Sequence, residues 1–236
     1  MKKHIPNLLT SLNLYSGCIA CVMAFQGEYF WVVFFIILSA IFDFFDGFAA
    51  RWLKAYSPIG KELDSLADMV SFGVAPSLMV FNYLSRYAAD LTPLTVINPY
   101  IPYIAFILAV FSALRLAKFN VDERQTTSFI GLNTPSNALF WISFIYGIQG
   151  SEVLSPTIMG YLIIALIFVF SFLMIAEIPM FSLKTKGFGI KGNELRYLLI
   201  VFIVAATILL GILGITLGVL FYIAISIFSS VIKTDK

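Results

Sequence analysis

Apolar stretches of about 20 residues, the length that crosses a hydrocarbon core, follow one another along the whole chain with short polar breaks between them. The pattern predicts helices over Asn7–Phe25, Tyr29–Arg51, Gly60–Tyr87, Pro99–Phe119, Pro135–Gln149, Pro156–Ile178, Leu195–Leu210 and Gly214–Ile232. The third starts polar and the fifth is short. Only Gly-Ile-Leu-Gly separates the last two, which leaves either a tight hairpin or one broken helix. No internal repeat, low-complexity stretch or interdomain linker interrupts the series. Residues 1–236 therefore read as a single integral membrane domain.

Hydrophobic residues make up 60% of the chain and charged residues 12%, with a mean hydropathy of +0.95. Soluble domains carry about 25% charged residues, so this chain cannot solvate a globular surface, and lipid must be its solvent. The expected fold class is an all-α polytopic membrane protein, a bundle of about eight transmembrane helices with a polar cavity facing the cytoplasm. No nucleic-acid partner is expected. Charge chooses between eight spans and seven. With eight spans and a cytoplasmic N-terminus, only Arg86 of the 15 Lys and Arg residues falls outside, as the positive-inside rule requires. Seven spans would export Lys233 and Lys236. The expected location is the cell (inner) membrane, with both termini cytoplasmic. The first run contains Asn7, Thr10, Ser11 and Asn13 and has no small-residue cleavage site, so it reads as a retained helix and not a signal peptide. Cys18 and Cys21 read as small apolar fillers. The segment Phe181–Glu194, with three lysines and three glycines, reads as an interfacial loop drawn to anionic lipid.

Candidate chemistry lies in the second and third spans. Asp43, Asp46, Asp64 and Asp68 sit in apolar context, where each costs about 2.5–3.5 kcal/mol near a bilayer centre on insertion scales. Asp43, Asp46, Gly47 and Ala50 share one helical face, and Gly60, Asp64 and Asp68 share another. Gly47, Ala50 and Gly60 leave space for a bulky group or a neighbouring backbone. Counted from Arg51, Asp46 is about 7.5 Å and Asp43 about 12 Å into its helix; from Lys61, Asp64 is about 4.5 Å and Asp68 about 10.5 Å in. Two antiparallel helices would then bring both pairs together at matched depth below the cytoplasmic surface. Carboxylates that close repel unless cations intervene. All-oxygen ligands suit Mg²⁺ or Mn²⁺, and two divalent ions neutralise four charges, an arrangement common in phosphoryl chemistry. A cation pathway or proton relay lined with acids fits the same spacing.

The run Asp43-x2-Asp46-Gly47-x2-Ala50-Arg51-x8-Gly60-x3-Asp64-x3-Asp68 resembles the signature of the CDP-alcohol phosphatidyltransferases. The segments Asp64-Ser-Leu-Ala-Asp-Met-Val-Ser-Phe-Gly-Val-Ala-Pro76 and Ser112-Ala-Leu-Arg-Leu-Ala-Lys-Phe-Asn120 are similar to its phosphatidylserine synthase branch. Ile5-Pro-Asn-Leu-Leu-Thr-Ser-Leu-Asn13 is similar to the family's opening. Phe129-Ile-Gly-Leu-Asn-Thr-Pro135 matches in part, with Asn133 where the branch has proline.

The resemblance covers residues 5–180 and leaves 195–232 as two additional helices. It implies transfer of the phosphatidyl group of CDP-diacylglycerol to L-serine, giving phosphatidylserine and CMP. It implies two divalent cations, Mg²⁺ or Mn²⁺, held by Asp43, Asp46 and Asp64, with Asp68 touching one and acting as base. Gly47 and Ala50 would give the nucleotide space, bordered by Arg51 and by the turn from Ser57 to Gly60. A homodimer and membrane lipids are the implied partners. For the acceptor, Arg115, about one turn inside its span, would grip a carboxylate bidentately or snorkel to the interface. Lys118 is an anchor or a further acceptor contact, and Asn120 a ligand donor or a helix cap. Another acceptor, such as glycerol 3-phosphate, is the alternative within the same chemistry. An acid-lined cation transporter is the alternative outside it.

Overall fold

In the computed structural model, residues 4–87, 98–122, 129–150, 154–180, 189 and 193–234 are described. Eight helical rods account for nearly all of them. The chain enters α1 (Ile5–Gln26) through Pro6 in the first turn and leaves it at Gly27, whose φ of 74° allows the tight return. α2 (Tyr29–Trp52) follows at once. Ser57 caps α3 (Pro58–Arg86), its Oγ accepting from the Gly60 amide at 3.0 Å. α3 widens into a π-helical turn over Met69–Val74, directly after Asp68. α4 (Asn98–Val121) opens as a 3₁₀ stretch around Pro102. α5 is Thr134–Ile148 and α6 is Pro156–Ile175. The pair α7 (Glu194–Leu210) and α8 (Leu213–Thr234) completes the series.

Every helix expected from the apolar pattern is present, with ends displaced by a few residues where a cap is available. α3 begins at Pro58 because Ser57 supplies the cap. At Asn133 the backbone φ is −73°, which proline would also adopt, while the side chain accepts from the Ser136 amide at 2.8 Å and does what proline cannot. The last two segments form a hairpin and not one broken helix: Gly211 turns at φ 61° and α7 folds back along α8. A Cβ at Gly214 would fall on the backbone of Ala206 and Thr207, and one at Gly218 on Ile203, so these two glycines set how closely the hairpin packs. Five helices, α1, α2, α3, α4 and α6, are long and apolar enough to cross a membrane. α5 and α7, with 15 and 17 residues, and the apolar part of α8 are shorter. Most of Phe181–Glu194 lies outside the described residues, as do Lys2, Lys3, Arg124 and Lys236.

The packing brings α1 against both helices that carry the aspartates. α1 runs along α2 and along the whole of α3. A side chain at Gly17 would strike Ser71, so its absence lets α1 meet the π turn backbone to backbone. The Asn13 carbonyl accepts from Ser39 and from Ser71, each at 3.1 Å, tying α1, α2 and α3 at one point. α4 packs on the π turn and on α6; a Cβ at Gly73 would come within 3.0 Å of the Ser112 Cβ, and Ser112 Oγ lies 3.6 Å from Met174 Sδ. α5 packs on α2 and α8, and its Phe140 and Trp141 meet Phe170 of α6.

A two-residue antiparallel ladder, β1 (Phe129–Ile130) with β2 (Pro179–Met180), pins the start of α5 to the end of α6. Lys61 Nζ donates to the Asn120 carbonyl and Lys118 Nζ to the Ile175 carbonyl. The ends of α2, α4 and α6 and the starts of α1, α3 and α5 therefore share one end of the bundle.

Candidate active site

α2 and α3 present their acids to each other. One carboxylate oxygen from each of Asp43, Asp64 and Asp68 lies within 4.8 Å of the others. At that separation two ionised carboxylates repel by about 3 kcal/mol at an effective dielectric of about 20. Asp46 is 6% and Asp68 9% exposed, so water does little to screen them.

Two of the four are held by the first helix. Thr10 Oγ1 donates to Asp46 Oδ2 at 2.6 Å, and Asn13 Nδ2 donates to Asp68 Oδ1 at 3.2 Å. Asp64 Oδ1 is buried with no hydrogen-bond partner. A buried acceptor without a donor, beside two further carboxylates, is the donor set that a hard divalent cation satisfies. The residues present fit a metal. Asp46 stands outside the triad of Asp43, Asp64 and Asp68 and meets it through Asp64, with which it lines a common cavity.

That cavity, of about 520 Å³, opens beside the acids between α1, α2 and the start of α3. All five residues expected to contact the CDP-lipid line it: Gly47, Ala50, Arg51, Ser57 and Gly60. The glycines act through what they lack. A Cβ at Gly47 would sit 3.4 Å from an Arg51 guanidinium nitrogen, and one at Gly60 would lie 2.9 Å from Ser57 Oγ and 3.0 Å from Asn7 Oδ1. Arg51 and Lys61 bring positive charge to the walls, Asp46 and Asp64 negative charge to the inner end. An anionic phosphate ligand bridged by cations to the acids suits such a polarity.

The three expected acceptor contacts separate. Arg115 is 5% exposed and turned inward, its guanidinium 4.9 Å from the Phe119 ring and in electrostatic contact with Asp68 and Tyr222. It does not snorkel. Lys118 ties α4 to the end of α6 through the Ile175 carbonyl at 3.3 Å and Glu177 Oε1 at 3.4 Å. Asn120 donates to Ser65 Oγ at 2.8 Å, next in sequence to Asp64, and so acts as a strut between α4 and α3.

Sequence reasoning did not assign Asn7, Thr10, Asn13, Tyr56 or Lys61 to the site, though Asn7, Thr10, Tyr56 and Lys61 line the cavity. A signal was present: Asn7, Thr10 and Asn13 recur every third residue in an apolar run, along one helical face. The π turn after Asp68 has no comparable signature.

The family model described as CDP-alcohol phosphatidyltransferase matches residues 3–232. Among curated proteins, the CDP-diacylglycerol–serine O-phosphatidyltransferase of Bacillus subtilis is 37% identical over 149 residues, which are 61% of this chain and 77% of that protein. The one from Helicobacter pylori strain J99 is 32% identical over 136 residues, 57% of this chain and 54% of that protein. The archaetidylserine synthase of Methanothermobacter thermautotrophicus is 30% identical over 142 residues, 59% of this chain and 57% of that protein. The match thus spans little more than half the length of the last two relatives.

Proposed function

The chain belongs to the CDP-alcohol phosphatidyltransferase family, and on that premise we propose that it transfers the phosphatidyl group of CDP-diacylglycerol to L-serine, releasing CMP. One observation carries the reading. Six of the eight signature residues, Asp46, Gly47, Ala50, Arg51, Gly60 and Asp64, line a single cavity, and Asp64 joins that cavity to the carboxylate cluster it forms with Asp43 and Asp68. A cation pathway needs acids distributed from one face of the membrane to the other. Here the clustered acids stay toward one end of α2 and α3, and the cavity has a basic rim for phosphate. Relatives named for serine as acceptor support the choice of alcohol.

In this reading Asp43, Asp46, Asp64 and Asp68 hold two divalent cations, Mg²⁺ or Mn²⁺. Bound there, the cations would neutralise the pyrophosphate and the departing CMP. The side chains do the rest. Arg51, with the Ser57-capped turn, holds the diphosphate, and Gly47, Ala50 and Gly60 leave room for the nucleotide. Thr10 and Asn13 aim Asp46 and Asp68. Asp68 Oδ2, the oxygen not engaged by Asn13, accepts the proton of the serine hydroxyl as it attacks the lipid-side phosphorus. Arg115 orients the acceptor by its carboxylate. Lys118 and Asn120 keep α4, and with it Arg115, in register with α3 and α6.

Residues 5–180 form the catalytic core, with α7 and α8 added outside it. The enzyme works as a homodimer in the inner membrane, both termini and the cavity mouth cytoplasmic, where the positive-inside rule puts the basic loops. The direct test is CMP release from CDP-diacylglycerol by the purified protein in lipid vesicles, with Mg²⁺ or Mn²⁺, screened over serine, glycerol 3-phosphate and inositol phosphate. Serine-dependent release with phosphatidylserine as product is the expected result. Release with glycerol 3-phosphate and none with serine would overturn the acceptor but keep the chemistry.

A further inference from the structure

α5 carries polar groups that neither the metal cluster nor the nucleotide cavity uses. Thr134 and Asn137, one turn apart at its start, are each 1% exposed. Thr134 Oγ1 and Asn137 Oδ1 are buried atoms with no hydrogen-bond partner. Buried polar atoms in native proteins are nearly always paired, so two unpaired acceptors on neighbouring turns of one helix are an exception that calls for a cause. Position supplies one. The Gly131 amide donates to the Ile178 carbonyl and the Leu132 amide to the Leu173 carbonyl, both at 2.9 Å, which fixes the start of α5 against the end of α6. The next residue of α6, Met174, touches Ser112 of α4, and Ser112 meets Gly73 of the π turn. Arg115 follows Ser112 by one turn toward the shared end of the bundle, and Asp68 precedes Gly73 by little more than one turn. α5, which carries the two unpaired acceptors at its start, thus packs against the turn that follows Asp68 and against the helix that carries Arg115.

An amino-acid acceptor makes three demands there. Its hydroxyl must reach the base, its carboxylate needs a cation, and its ammonium needs acceptor oxygens with up to three free lone pairs. Arg115 meets the second demand and has no acceptor to offer the third. We propose that Thr134 Oγ1 and Asn137 Oδ1 form the ammonium subsite of the acceptor pocket, and that this subsite selects an α-amino acid over acceptors without an amine. The inference rests on serine being the acceptor, as argued above, and deepens it by assigning the residues that read the amine. Selection has a clear physical source. A site built to hydrogen-bond a substrate group rejects the analogue lacking it, because the protein's own buried polar atoms stay unpaired.

The test compares serine with 3-hydroxypropionate, which keeps the hydroxyl and carboxylate and lacks the amine. CMP release is followed with the full chain in vesicles. For the wild-type protein the expected kcat/KM for 3-hydroxypropionate is lower than for serine by about a hundredfold or more. In Asn137→Leu and Thr134→Val, which keep side-chain volume and remove the acceptor, the KM for serine should rise about tenfold or more. The KM for CDP-diacylglycerol should change by less than about twofold, and the preference for serine over 3-hydroxypropionate should shrink by the same factor as the serine KM rises. A purely structural role for these residues would move both substrates together and leave the preference intact, and that result overturns the proposal. If the variants do not fold, the wild-type comparison decides alone: equal use of 3-hydroxypropionate and serine means that no amine is read. A wild-type protein that releases CMP with glycerol 3-phosphate and not with serine would instead overturn the acceptor reading itself, and this subsite with it.

Discussion

Thr10 never touches the acid triad, yet it is expected to control how tightly the site holds its cations. Its hydroxyl, 3% exposed, donates to Asp46 Oδ2 at 2.6 Å, a short charge-assisted bond between α1 and α2. Thr10→Val removes the donor and keeps the shape, so the packing of α1 is retained and one buried carboxylate oxygen loses its partner. Hydrogen bonds to charged groups are worth about 1.5–3 kcal/mol, or about 10- to 150-fold in an equilibrium constant. Groups that orient metal ligands from behind lose about 10- to 100-fold in affinity when removed. The two ranges agree on a tenfold or larger rise, by about 1.4 kcal/mol at the least, in the Mg²⁺ or Mn²⁺ concentration that half-saturates CMP release. Thr10→Ser, which keeps the hydroxyl, should titrate close to wild type. The assay is CMP release against metal concentration, at saturating serine and CDP-diacylglycerol. If the Thr10→Val curve superimposes on wild type in its midpoint, whatever its plateau, Asp46 is not oriented by Thr10 or does not ligate a cation.

The four aspartates should divide by role. Asp68→Asn is expected to keep metal-dependent binding of CDP-diacylglycerol and lose about a hundredfold or more in turnover, whereas Asp43→Asn, Asp46→Asn and Asp64→Asn should lose that binding together with activity; equal loss of binding in all four would make Asp68 chiefly a ligand. Arg115→Lys keeps the charge and loses the bidentate fork, so the KM for serine should rise more than the KM for CDP-diacylglycerol, and parallel changes in steady-state kinetics would contradict a carboxylate grip. A single cysteine placed at the C-terminus of a protein lacking Cys18 and Cys21 should resist a membrane-impermeant thiol reagent in intact cells and react once they are permeabilised; labelling from outside would refute the eight-span orientation.

Much of this protein is local information, and local information is what a sequence displays. Apolar length locates the helical runs, because in lipid each segment must satisfy its own backbone hydrogen bonds and so each run reports its own structure. The charge pattern chose eight spans over seven. The positions of Asp43, Asp46, Asp64 and Asp68 are legible for the same reason: acids are costly in lipid, and their spacing fixes which face they share. The five cavity residues Gly47, Ala50, Arg51, Ser57 and Gly60 lie on two consecutive helices and their turn, so antiparallel pairing is enough to bring them together.

Contacts between distant segments are decided elsewhere. That α1 supplies Thr10 and Asn13 to the acids depends on Gly17 admitting Ser71 and on the Asn13 carbonyl binding two serines, a three-helix junction that no periodicity encodes. Arg115 looked equally suited to the interface and to the interior while only its depth in α4 was known. Its inward turn follows from the packing of α4 on the π turn and from Tyr222 on α8, 107 residues further along the chain. Lys118 and Asn120 carry groups suited to a ligand, but the end of α6 and the start of α3 lie within reach and take their hydrogen bonds first. The π turn at Met69–Val74 likewise has no local signature. A side chain's identity says which bonds it can make, and only the approach of other helices says which of them it does.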